Sequence, residues 1–184
     1  MHALIAILLA LPHEAAADRY VGDDTSGTVK FDMEASLHEI PGEAKSFTTE
    51  ISVEEKLTGK VVIQAKSLTT GIGVRDTRMY EFCLESDKFP TIVFEVRGAT
   101  GDTAGILSQE GSGMVSLHGS LKVRSTSREL VIPTAYTWKD GELHLQGDQV
   151  IKWTDYGVPD PSIVISKLEP KMAISFDVNL HKSF

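Results

Sequence analysis

The 184-residue chain has a single cysteine, no internal linker rich in proline, glycine and serine, fewer basic than acidic side chains, and no apolar run long enough to cross a bilayer. Each shortage removes a class of protein. Cys83 has no partner in the chain, so no disulfide framework exists, although export into an oxidising space is compatible with one thiol. Without a linker, one compact domain is expected. Lys and Arg number 18 against 26 Asp and Glu, a net charge of −8. That balance argues against nucleic acid as a partner and mildly against adhesion to anionic lipid surfaces.

The longest apolar run, residues 3–11, falls well short of the ~20 residues of a membrane helix. It is followed by Pro12 and by Ala15-Ala16-Ala17 before Asp18, so residues 1–17 read as a signal peptide and 18–184 as the domain. A periplasmic or secreted location follows as an expectation. The amino end carries no Lys or Arg, only His2, which leaves a buried first strand or a misplaced start as the alternative. Chemistry is equally sparse. Cys83 has Arg78 and Lys88 as its nearest basic neighbours and no histidine close by in sequence, so helix packing is the simpler fate of this thiol. No catalytic residue and no cofactor are expected.

What the sequence does have is alternation. In the stretch from Gly113 to Trp153, Val115, Leu117, Leu121 and Val123 occupy one phase of a period of two, with Ser116, His118, Ser120 and Lys122 on the other. After a polar turn at Arg124 to Ser127 the pattern restarts as Leu130, Ile132, Tyr136 and Trp138. Lys139-Asp140-Gly141 supplies the left-handed residues of a tight hairpin, and Leu143, Leu145, Ile151 and Trp153 follow. Gly147, in phase with Leu145, suggests a bend. Upstream, Val29, Phe31, Met33, Ala35 and Leu37 alternate until Pro41-Gly42, which reads as the stop. Further strands carry Phe47, Ile51 and Val53, then Val61, Ile63 and Ala65, then Ile92, Phe94 and Val96; Met172, Ile174, Phe176, Val178 and Leu180 close the chain.

The alternation breaks between Thr70 and Phe89, where Val74, Met79, Phe82 and Cys83 fit helical spacing, with Asp76 or Thr77 as the expected cap. Residues 98–112, rich in Gly, Ser and Thr, read as a hairpin loop. The fold class is therefore all-β: an antiparallel β-barrel of about eight strands with one short helix, favoured over a sandwich because the strands are long and the inward sets large. Eight strands enclose packed side chains or one slender ligand, and periodicity alone does not choose between them.

His38, His118 and His144 are the candidate metal ligands, but each lies on the phase opposite its apolar neighbours and on a different strand, so all three are expected to face outward without a shared metal. Arg75 and Arg78 flank Asp76 and are candidates for an anionic head group, the bland alternative being a surface ion pair between Arg75 and Asp76. Lys122, Arg124 and Arg128 read as a solvated turn.

The chain resembles the YceI-like polyisoprenoid-binding proteins, exported lipocalin-like barrels of bacteria, over Tyr20 to Leu180. The likeness rests on Tyr20 with Ser26-Gly27-Thr28-Val29-Lys30-Phe31, on Leu68-Thr69-Thr70-Gly71 followed by Val74-Arg75-Asp76 and Met79, on Phe89-Pro90-Thr91-Ile92-Val93-Phe94, on His118-Gly119-Ser120-Leu121-Lys122-Val123, and on Val131-Ile132-Pro133. It departs at Ser125-Thr126-Ser127 and Thr25-Ser26, where many relatives have other residues. The resemblance implies an extended barrel holding an isoprenoid or similar apolar lipid, with the helix near one mouth and no catalytic residues. The expected interior lining is Phe31, Met33, Leu37, Phe47, Ile63, Ile92, Phe94, Leu117, Leu121, Tyr136, Trp138, Leu145, Trp153, Ile174 and Phe176, with Arg75 and Arg78 near the head group. A barrel shape does not fix its contents. A non-enzymatic carrier leads, with a small hydrolase or isomerase at the mouth and a filled-core stress-related structural module as alternatives. Transient membrane contact is compatible with all of this, and monomer and dimer both remain open.

Overall fold

A computed structural model describes residues 18–36, 38–162 and 167–183. The expected signal peptide and Leu37 lie outside the described residues. Eleven strands form one antiparallel sheet: β1 (Asp18–Asp23), β2 (Gly27–Ala35), β3 (His38–Ala44), β4 (Phe47–Val53), β5 (Leu57–Gln64), β6 (Leu68–Thr69), β7 (Thr91–Gly101), β8 (Ser112–Val123), β9 (Thr126–Lys139), β10 (Glu142–Lys152) and β11 (Leu168–Lys182). The first six are halves of three interrupted staves. β11 pairs with β2 along Leu168–Val178 and with β1 at His181 and Lys182, while β3 and β4 pair with β2 and β1, and β6 and β5 with β3 and β4. Counted as staves, eight run up and down in chain order and close on themselves, as the expected barrel does.

Local chemistry explains the turns. Asp140 and Gly141 both take positive φ, 53° and 82°, so the hairpin joining β9 to β10 is the left-handed kind that follows the twist of its strands. Pro41-Gly42 is not a stop: it lies inside β3, with Asp32 opposite Pro41 and Phe31 opposite Gly42. Pro41 is tolerated because β3 pairs with β6 only at Glu43 and Ala44, so its other edge makes no ladder there. Gly42 is required because a Cβ would stand 2.1 Å from the Phe31 ring. β1 has too few residues for alternation to announce it.

The two ends differ. At the closed end the connection from β7 to β8, expected as a loop, forms a second short helix, α2 (Thr103–Ser108), whose Ile106 is fully buried. Trp138 stands edge-on to Tyr20 at 4.9 Å, Tyr20 donates to Gln109 Oε1 at 2.6 Å, and Tyr136 donates to Asp102 at 3.1 Å. Below them Leu143 and Leu180 are completely buried, so this end is solid. The opposite end is roofed by α1 (Gly73–Arg78), by the wider π turn Met79–Cys83 that continues it, and by the 3-10 turn Trp153–Tyr156.

One wall is incomplete. The ladder between β9 and β10 runs from Lys139 and Glu142 only as far as Thr134 and Gly147. Beyond it β9 pairs with β8 alone and β10 with β11 alone. Pro133, which would pair next, lacks an N–H. The Gln149 amide fills the seam, donating to the Val131 carbonyl at 2.6 Å and accepting from Val150 N at 2.8 Å. Gly147 marks the end of this ladder rather than a bulge, since the register with β11 is unbroken there; the Phe176 ring occupies the place of its missing side chain.

Candidate functional site

The inward phase of every stave meets in a cavity of about 600 Å³ under the roof. Inward residues in this half keep accessible surface although they point to the barrel axis: Met33, Val61, Ile63, Ile92, Leu130, Met172, Ile174 and Phe176 are only partly buried. Their counterparts at the closed end are fully buried. That contrast, invisible to periodicity, shows where the barrel is hollow and where it is packed.

Of the sequence-expected lining residues, Phe31, Met33, Ile63, Ile92, Phe94, Leu117, Leu121, Leu145, Trp153, Ile174 and Phe176 border the cavity. Phe47, Tyr136 and Trp138 do not: Phe47 is buried in the wall opposite Ile63, while Tyr136 and Trp138 belong to the packed end, where the Tyr136 hydroxyl finds Asp102 at the start of α2 and the Trp138 indole N–H finds the Ile106 carbonyl. The expected lining omits Val61, Leu130 and Met172, which border the cavity and which alternation places on the inward phase, and Ile40 is not singled out by the sequence at all. That lining also omits the roof, where Met79, Leu84, Tyr156 and Val158 border the hollow and the exposed Ile72 and Val74 stand at its rim. No sequence period tells which side of a single helical turn covers a hollow.

The roof is tied down by polar contacts at its edges. Asp76, expected as a cap, sits inside α1 and reaches back to the strand before it: Thr69 Oγ1 donates at 2.6 Å and Thr70 N at 2.8 Å, with the Thr70 hydroxyl also donating. Burial alone would raise this carboxyl, but those hydrogen bonds and the nearby Arg75 hold it below the ordinary carboxylate value. Arg75 does not pair with Asp76 directly; its Nε donates to Thr70 Oγ1 at 2.7 Å and its Nη2 to Thr70 O at 2.9 Å. Arg78 stacks its guanidinium 4.9 Å from the Phe82 ring. Both arginines stand on the cavity rim.

The turn at Arg124 is not merely solvated. Arg124, with φ of 54°, forms an ion pair with Glu85 behind the π turn and donates to the Gly157 carbonyl, while Arg128 donates to the Asp155 carbonyl at 3.1 Å. These two side chains fasten the roof segments to the β8–β9 turn. Tyr80 adds a bond from its hydroxyl to the Leu68 carbonyl.

Titratable groups elsewhere are engaged singly. His118 Nε2 lies 2.8 Å from Thr100 Oγ1, His144 Nε2 lies 2.8 Å from Asp177, and His38 stands exposed on the rim. Among the described residues no three His, Cys, Asp or Glu side chains gather as metal ligands. Cys83 borders the cavity, and burial pushes its thiol up, away from the reactive thiolate. What this arrangement offers is a stoppered apolar hollow with charged groups at its rim alone.

The family model described as YceI-like domain matches residues 20–181. Three solved structures share the fold. A polyisoprenoid binding domain from Saccharophagus degradans, implicated in plant cell wall breakdown, superposes with a TM-score of 0.76 at 13% identity, covering 91% of this chain and 100% of that one. BcnA of Burkholderia cenocepacia gives 0.74 at 12%, covering 86% and 98%. The YCEI protein of Campylobacter jejuni gives 0.66 at 16%, covering 81% and 88%. No curated protein matches the sequence.

Proposed function

The chain belongs to the YceI-like domain family, and from that premise we propose that it is an exported, non-enzymatic carrier that holds a long apolar lipid of isoprenoid type inside its barrel. The observation that carries this reading is the one-ended cavity, whose walls are almost wholly apolar, with the buried Thr49 among the few polar side chains below the rim. Burying each methylene contributes roughly 0.8 kcal/mol, so affinity accumulates with chain length without a directed polar contact inside. The closed end supports a chain entering tail first. The rim, with Thr70, Arg75 and Arg78, is where a polar or anionic head would rest. The relation to a domain described as polyisoprenoid binding supports an isoprenoid over an unbranched chain. The amino-terminal residues 1–17 support export, and loading a chain of this kind calls for transient contact with the membrane that contains it.

Against catalysis by Cys83 stands its burial, which pushes the thiol up, away from the reactive thiolate. The deciding experiment is extraction of the purified protein with organic solvent and mass spectrometry of the extract. A stoichiometric prenyl lipid is the expected result. A lipid-free extract from protein purified without detergent, together with failure to take up added polyprenol, would overturn the reading.

A further inference from the structure

Six large apolar side chains are prominently exposed among the described residues, and three of them, Ile72 at 53%, Val74 at 85% and Phe82 at 44%, fall within eleven residues of the roof. Exposing such a cluster is unfavourable in water, and no buried neighbour requires it. Val74 belongs at once to the cavity border and to a shallow outer depression that it forms with Thr77, Arg78, Glu81 and Phe82. Ile72 likewise borders the cavity. An apolar path therefore runs from the outer surface of the roof over the rim into the hollow.

Charge is distributed to suit this face. The turns of the closed end carry Glu54 and Glu55 against Lys56, and Asp140 and Glu142 against Lys139, with Asp102 and Glu110 beside α2. Around the mouth stand Arg75, Arg78, Lys88 and Lys167; of the acids between Thr70 and Phe89, Asp76 is buried and bonded inward, Glu85 pairs with Arg124 and Asp87 with Lys66, while Glu81 stands exposed beside Phe82. The negative net charge thus lies largely away from the apolar tip. Arg78 over Phe82 pairs a cation with an aromatic ring, a combination suited to the level of lipid head groups, where the ring meets acyl chains and the guanidinium meets phosphate.

We propose that the roof is a membrane-docking tip: the barrel stands mouth-down on a phospholipid bilayer, with Ile72, Val74 and Phe82 inserted at head-group depth and Arg78 on the phosphates. The proposal rests on the carrier reading for its purpose, since a lipid would then pass between bilayer and cavity without crossing water, but its physical basis is the surface itself. The occupant is a bilayer rather than a protein because the apolar path continues into a cavity that a protein partner would have no cause to reach.

The test is flotation with vesicles of phosphatidylcholine, alone and mixed with phosphatidylglycerol, using the chain as recovered from cells so that its amino end is the same in every variant. The wild type is expected to float with both, more strongly with the anionic mixture at low salt. The double variant Val74→Asp with Phe82→Asp, at positions exposed enough to leave folding intact, should lower the bound fraction about tenfold or more. Val150→Asp, equally exposed on the barrel wall, should not change it. No flotation of the wild type, flotation of the double variant at wild-type level, or an equal loss in Val150→Asp would each overturn the proposal. So would a wild-type dimer that the double variant turns into a monomer without any vesicle binding, because the face would then be a subunit contact. Organic extracts of the same preparations separate the two readings: flotation without cargo leaves docking standing and sinks the carrier, while cargo without flotation does the reverse.

Discussion

The indole N–H of Trp138 donates to the backbone carbonyl of Ile106 across 3.2 Å, fastening the wall of the barrel to the helix that stoppers it. Trp138→Phe keeps most of the ring but leaves that buried carbonyl without its donor, and a loss of about 1–2 kcal/mol in a denaturant titration is expected. Trp138→Ala, which also opens a void, should lose about 3–5 kcal/mol. Because Trp138 does not border the cavity, the Phe variant should keep its cargo, as read from the extract.

Two substitutions of the same kind should behave oppositely on either side of the boundary between hollow and packed barrel. Val61→Trp fills cavity space; it should displace ligand while the protein melts near the temperature of delipidated wild type, since bound ligand stabilises by mass action. Val115→Trp forces volume into the packed end and should destabilise by roughly 1–3 kcal/mol. Equal thermal effects of the two would mean the barrel is solid throughout.

Cys83 reports on occupancy. Its buried, protonated thiol should react slowly with a maleimide or disulfide reagent near neutral pH, and more slowly with lipid in the cavity than after delipidation. Mass spectrometry of the labelled chain over time measures both rates. Identical rates with and without cargo would place the cargo away from Cys83.

Acid should loosen the roof before it unfolds the barrel. The Asp76 carboxyl sits below its ordinary value of 3.8 in the folded chain, so the fold favours its ionised form. The contribution is complete above that value and disappears as pH falls through the lowered one. The protection of the residue 70–83 amides, taken relative to their intrinsic exchange at each pH, should accordingly fall below about pH 4 while the β8–β9 hairpin stays protected. In Asp76→Asn the protection of this segment should be lower at neutral pH and nearly independent of acid.

Much of the barrel is legible in residue order because inward and outward positions alternate without interruption through β8, β9, β10 and β11, and a single phase error would expose every apolar side chain of a strand. What was not legible has physical causes. Pro41-Gly42 looks like a stop, yet an edge without a partner removes the penalty on proline, and the Phe31 ring demands the glycine. α2 hides in a polar run because one turn of helix needs only Ile106 and Leu107 to anchor it. At the cavity, phase identified residues such as Phe94 and Ile174 but could not separate them from Tyr136 or Trp138, since both groups point inward and depth along the axis leaves no periodic trace. Arg124 appeared as one more charge on a turn; its role across the mouth depends on Glu85 and Gly157, distant in sequence.

The seam between β9 and β10 makes the mouth half of the barrel compliant in girth. A wall closed by a full ladder widens only by breaking several main-chain hydrogen bonds together, whereas here the interval beyond Gly147 is spanned by side chains, the Gln149 amide to the Val131 carbonyl and, past the strand end, Arg128 to the Asp155 carbonyl. Releasing these side-chain bonds frees Leu130 and Ile132 to move apart from Ile151 with the neighbouring ladders intact. On the carrier reading, a barrel of fixed circumference would select cargo by cross-section, whereas one with this seam would accept a branched chain and an unbranched one in turn, leaving its depth, set by the α2 stopper, as the dimension that discriminates.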